Sequence, residues 1–189
     1  MTVSTLPAVE RPAGRASAVV ATIPLRRSAR RALLISHIAV SVGWLGADVV
    51  MGILAVAGLT SDDPTLALAI FRAAGIFVPL AVLPLAGLSL VTGLLLALGT
   101  KWGLLRYWWV LVKLAITVVL CFLVLTLLQP SVADLADLAA AGQRDGSLAV
   151  AAAGADPTIL LVPACVSVVA LTVAVILSVA KPWGRTRSR

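Results

Sequence analysis

The sequence predicts an all-α fold, a polytopic membrane four-helix bundle with both termini in the cytoplasm. Three observations predict it. Of 189 residues, 61% are hydrophobic and 12% are charged, about half the charged share of a soluble domain. The mean hydropathy is +1.09. The apolar residues fall into four runs, each long enough for the roughly 20 residues a membrane span needs. No segment alternates in the manner of a membrane strand.

Residues 1–31 carry Arg11, Arg15, Arg26, Arg27, Arg30 and Arg31 and show no sustained helical or strand period. They read as a flexible basic cytoplasmic arm. Helix one follows over 32–59. Ala55-Val56-Ala57 looks like a signal-peptide cleavage site, but the apolar stretch from Ala32 to Leu59 is about twice an ordinary h-region. It is long enough to be retained as a span. Ser61 or Asp62 can cap helix two, and Pro64 suits its first turn. The membrane part of that helix covers 73–98. Pro79 and Pro84 lie inside it, each removing a backbone donor, so a kink is expected.

Gly99-Thr100-Lys101-Trp102-Gly103 reads as a tight turn, and helix three runs over 104–128, stopped by Gln129-Pro130. Residues 131–157 read as a polar outer loop with one short helix around 132–141. Asp156-Pro157 opens helix four, 158–180, with Pro163 in its first turns, and 181–189 is a basic tail.

Loop charges set the orientation. The arm, Lys101, Arg106, Lys181, Arg185, Arg187 and Arg189 place twelve basic residues on one side, and the other side has Arg72 and Arg144. This positive-inside bias puts both termini in the cytoplasm. Trp102, Tyr107, Trp108, Trp109 and Trp183 fall at the cytoplasmic boundary, where aromatic rings anchor helices. The same distribution accounts for a net charge of +7 without nucleic acid, because the basic residues flank spans and form no face interleaved with aromatics. The partner it implies is the lipid bilayer, and self-association is left open. The Ala-, Val- and Arg-heavy usage suggests a bacterium with GC-rich coding, and hence a multi-pass plasma-membrane location.

No GxSxG, HExxH, P-loop or dinucleotide fingerprint is present, so the sequence leans away from an enzyme. One histidine and a single methionine beyond Met1 supply neither a multi-histidine metal site nor a Met-rich copper relay. Cys121 and Cys165 have no zinc-like spacing and read as small buried residues, about 10 Å below the outer surface by helix rise.

Three ionisable side chains remain within the spans: His37, Asp48 and Lys113. A charge at the bilayer centre costs roughly 2.5–3.5 kcal/mol on insertion scales, so such residues turn inward and seek partners. His37, Ser41, Trp44 and Asp48 are spaced four, three and four apart, on one helix face. Gly43, Gly46, Ala47 and Gly52 allow a neighbouring helix to approach. The bland reading makes the stripe a packing device; the functional one makes it a site. His37 and Lys113 lie at comparable depth, about 7 and 12 Å from the cytoplasmic end. Lys113 can snorkel to that surface or serve as a fixed cation or ligand.

His37-x6-Trp44-Leu45-Gly46, with the stretch from Trp102-Gly103 through Tyr107-Trp108-Trp109 to Lys113, resembles an uncharacterised bacterial family of small four-helix membrane proteins. That family is similar to the membrane domain of copper-resistance protein D. The resemblance covers roughly residues 32–128. More distantly, the same features resemble the four-helix membrane protoporphyrinogen oxidase. There a first-helix histidine and a later lysine are the functional residues, associated with haem; the resemblance carries those roles to His37 and Lys113.

Three functions follow as expectations. The first is a non-enzymatic membrane protein acting in transport or envelope homeostasis. The second is a haem- or porphyrin-binding redox protein with His37 as axial ligand, Lys113 as ligand or propionate partner, and Trp44 lining the pocket. The third is a copper-handling module.

Overall fold

The computed structural model describes residues 26–99, 107–145, 156 and 158–180. The arm before residue 26, the 100–106 turn, 146–155 and the basic tail lie outside the described residues. So do Trp102 and Trp183.

Among the described residues four helices are long and apolar enough to cross a membrane. Helix α1 is Arg27–Thr60. Helix α2 has two α-helical halves, Pro64–Phe77 and Leu83–Gly99, joined by a wide turn at Val78–Val82. Helix α3 likewise has halves Trp108–Leu123 and Gln129–Asp145 around a wide turn at Val124–Leu128. Helix α4 is Thr158–Ala180. Each helix packs against the next and α4 closes on α1, giving a four-membered ring. The chain is a multi-pass membrane bundle. Its surface carries Ile35, Leu80, Phe122 and Val179 exposed, as lipid contact requires, while its interior mixes alanines such as Ala47, Ala55, Ala74 and Ala86 with leucine and valine.

Several boundaries differ from the sequence expectation. Helix α1 begins at Arg27, because Arg, Ser and Ala are adequate helix formers and the apolar run behind them has already nucleated the helix. Asp63, rather than Ser61 or Asp62, caps α2. It is the residue before Pro64, and its carboxylate accepts from the Thr65 N–H at 2.8 Å. The largest difference is at Gln129-Pro130, which does not stop α3. The helix runs on to Asp145, through most of the stretch read as a loop.

The wide turns explain how proline is accommodated. In each, the residue before a proline donates its N–H five residues back: Leu83 to the Val78 carbonyl, then Pro84, and Gln129 to the Val124 carbonyl, then Pro130. Widening the turn removes the clash between the proline ring and the carbonyl four residues earlier. The helix changes its winding and continues.

The seams follow heptad-like spacing. On α1, Trp44, Asp48, Met51, Ala55 and Gly58 are buried at steps of four and three, extending the His37–Ser41 stripe. On α4, Leu160, Ala164, Ser167, Leu171 and Ala174 do the same. The second half of α3 presents Val132, Leu135 and Ala139 to the first half of α2, where Leu68, Phe71 and Ala74 are buried, so these two halves form a helical hairpin. Its tightest point is Gly75, where an added Cβ would stand 2.5 Å from the Ala136 Cβ.

Candidate functional site: a cavity at the basic end of the bundle

The α1 start and the α4 end share one end of the ring with the junction of α2 and α3. It is called the basic end here, because Arg26, Arg27, Arg30 and Arg31 stand there. A cavity of about 500 Å³ opens among the four helices at this end. All four contribute. Helix α1 supplies Arg30 and His37, α2 supplies Ser89 and Gly93, α3 supplies Trp109 and Lys113, and α4 supplies Ser178. Leu34, Ile38, Leu90, Leu94 and Leu114 make the walls mostly apolar.

The structure therefore brings His37 and Lys113 to one site from different helices. The His37 Nδ1 lies 2.9 Å from the Thr92 hydroxyl. That hydroxyl is 2.6 Å from the Leu88 carbonyl, which can only accept, so the single hydroxyl proton lies on that contact. The imidazole then donates from Nδ1, with the Ser89 backbone carbonyl as a further acceptor beside it, and in the neutral ring Nε2 keeps its lone pair. Gly93 makes the ring position accessible; a Cβ there would meet the His37 Cε1 at 3.0 Å. Lys113 does not snorkel away from the bundle. Its ammonium donates to the Ser178 hydroxyl on α4, and that hydroxyl donates in turn to the Ala174 carbonyl at 3.2 Å.

Further along α1, Ser41 pairs with Ser89 at 2.8 Å. Trp44 is 0% exposed and does not line the cavity; the expected pocket wall is instead core between cavity and bundle centre. Trp109, read as an interfacial anchor, lines the cavity in its place. Asp48 is 3% exposed, lies away from the cavity, and has the Ser167 hydroxyl as its polar neighbour. The small residues divide. Gly43 admits Leu85 at 3.3 Å and Gly52 admits Ala164 at 3.8 Å, but Gly46 faces nothing within 4 Å and is exposed.

Ser89, Thr92 and Ser178 were not singled out in the sequence, although Ser89 and Thr92 stand three apart in an otherwise apolar run, one face of a helix. Cys121 is buried and donates to the Ala86 carbonyl at 3.5 Å, whereas Cys165 is exposed; both are free thiols. Among the described residues no three His, Cys, Asp or Glu side chains gather into a metal-binding group.

No family model, curated protein or solved structure matches this chain.

Proposed function

We propose that this chain is a bacterial plasma-membrane protein that binds a flat, amphipathic, carboxylate-bearing ligand of the porphyrin or haem class in the basic-end cavity. The observation that carries the reading is the convergence of an imidazole, held through Nδ1 by Thr92, and a lysine on one apolar-walled space. The volume falls within the roughly 300–1,000 Å³ usual for cofactor pockets. A donor set of one histidine nitrogen, one ammonium and a guanidinium at the rim suits such a ligand. His37 would hold a metal through Nε2, and Lys113 and Arg30 would neutralise the carboxylates. A bound haem would supply one-electron chemistry; the chain would supply ligation, orientation and an apolar surround.

This reading accords with the resemblance of His37 and Lys113 to the functional pair of the membrane protoporphyrinogen oxidase, without requiring that enzyme's activity. A role in transport or envelope homeostasis is compatible with the same cavity. Copper finds less support, because His37 has no second histidine or cysteine beside it in the cavity lining.

The test is expression with haem supplementation, purification in detergent and absorption spectroscopy. A Soret band that disappears in His37→Ala and weakens in Lys113→Ala is the expected result. A colourless protein, or a spectrum unchanged by His37→Ala, overturns the assignment.

A further inference from the structure

The cavity leaves one intramembrane ionisable group unused. Asp48 sits eleven residues beyond His37 on the same seam of α1, about 16 Å along the helix axis. It is 3% exposed, its Oδ2 is fully buried, and that oxygen has no hydrogen-bond partner. One turn away, the Trp44 Nε1 is a buried donor with no acceptor. From α4 the group that faces Asp48 is Ser167, itself 6% exposed. The other titratable groups of the membrane interior are engaged elsewhere. Lys113 bonds Ser178, His37 bonds Thr92, and the Cys121 thiol of α3 points at the Ala86 carbonyl of α2. Among the described residues no cation and no second carboxylate faces Asp48.

Two chemistries are open to a carboxyl group so placed. As a packing device it offers hydrogen bonds, but an asparagine would fill the same volume, offer as many, and carry no cost of ionisation. What distinguishes aspartate is a proton it can bind and release. An unpaired carboxylate at this depth costs several kcal/mol relative to water, and the acid form carries no such penalty. The surroundings are closely packed, with buried Ala47 and Trp44 on the same helix and buried Ala164 one turn from Ser167 on α4. They leave little room for a hydrated metal ion. They suit a proton.

We propose that Asp48 is a proton-binding site within the bilayer, with Ser167 and Trp44 as its polar neighbours, and that it exchanges its proton with the basic-end cavity. Between the two lies the rest of the α1 seam: the Trp44 indole, then the Ser41–Ser89 hydroxyl pair, then His37 with Thr92. Trp44 is fully buried between the two, and in this proposal it governs how fast the exchange proceeds. The proposal is independent of what the cavity binds.

Infrared spectroscopy of the full chain in liposomes tests it. The expected result is a carboxylic-acid C=O stretch that titrates with the pH of the medium, shifts in D2O, and is absent from Asp48→Asn. Asp48→Glu restores a shifted band, and Trp44→Leu accelerates the D2O shift. If no band depends on Asp48 at any pH, or if the band never shifts in D2O, the proposal is wrong. An exchange rate unchanged in Trp44→Leu overturns the role of the indole. Helix content of Asp48→Asn, read by circular dichroism, separates loss of the proton site from loss of the fold. Should that variant fail to fold, the band shift in Asp48→Glu makes the same assignment, and an unshifted band there overturns it.

Discussion

At the scale of single residues, the fate of His37 is decided by its neighbours on α2. Thr92 fixes which ring nitrogen carries the proton, and Gly93 leaves room for the ring. Replacing Thr92 with valine removes the hydroxyl that holds Nδ1 and loosens the tautomer. Haem affinity is expected to fall about 10–100-fold, the usual effect of losing such an outer hydrogen bond to a ligating histidine. Quenching of tryptophan fluorescence by titrated haem measures it, and an unchanged Kd refutes it. A second residue-scale prediction concerns Asp156, which lies outside the spans. Hydrogen bonds from the Thr158 hydroxyl at 2.7 Å and the Thr158 N–H at 2.9 Å hold its carboxyl below the usual carboxylate range. Its contribution to the start of α4 is therefore complete above the unfolded carboxylate pKa and disappears as pH falls through the lower, folded one. Amide protection at Thr158 and Ile159 should drop in that acidic window. Asp156→Ala should show the low protection at every pH. The α1 polar stripe was legible because polar residues stand out in an apolar run and recur at helical spacing. Which of them reach a common cavity was not, because that depends on where α2 and α3 place Ser89, Thr92 and Lys113.

At the scale of elements, the helical hairpin and the two wide turns matter most. Gly75→Ala forces a methyl to within 2.5 Å of the Ala136 Cβ, which cannot swing aside. The two halves must separate or slide, at an expected cost of about 1–3 kcal/mol. Thermal unfolding in detergent measures it, and a Tm equal to that of the parent contradicts the packing described. Pro130→Ala restores a backbone donor and lets an ordinary turn form in place of the wide one. Because the removed widening re-aims Val132, Leu135 and Ala139, the variant is expected to be less stable despite gaining a hydrogen bond. Helix existence was readable throughout, and α4 was read at its observed limits, because length and hydropathy mark a span. The continuation of α3 past Pro130 was not. Proline is ordinarily a stop, and the polar composition of 131–145 resembles a loop. The clue was spacing: the buried positions Val124, Leu128 and Val132 step by four and four, where a regular seam alternates three and four. In a span whose lipid-facing residues are equally apolar, that step cannot be seen without the neighbours.

At the scale of the whole molecule, the basic end holds both the cavity and the cluster of arginines, so orientation determines which compartment the cavity meets. Arginine-rich ends face the cytoplasm. A chain with both cysteines replaced by alanine, carrying Arg27→Cys or Leu138→Cys, tests this in intact cells. A membrane-impermeant maleimide is expected to label Leu138→Cys and to spare Arg27→Cys; the reverse pattern inverts the topology. The four-helix bundle was legible from the count of spans, since antiparallel neighbours are the simplest way to connect them. Helix lengths carry a last consequence. Helices α1, α2 and α3 comprise 34, 36 and 38 residues, whereas α4 has 23. By rise, α4 is about 34 Å long, close to the roughly 30 Å thickness of the hydrocarbon layer, and the others exceed 50 Å. The longer ones have surplus length with which to shift along the normal, whereas the described residues of α4 have little. A thicker or thinner lipid mixture should therefore act on the molecule through α4, tilting it or drawing its ends inward, and so moving Ser178 against Lys113.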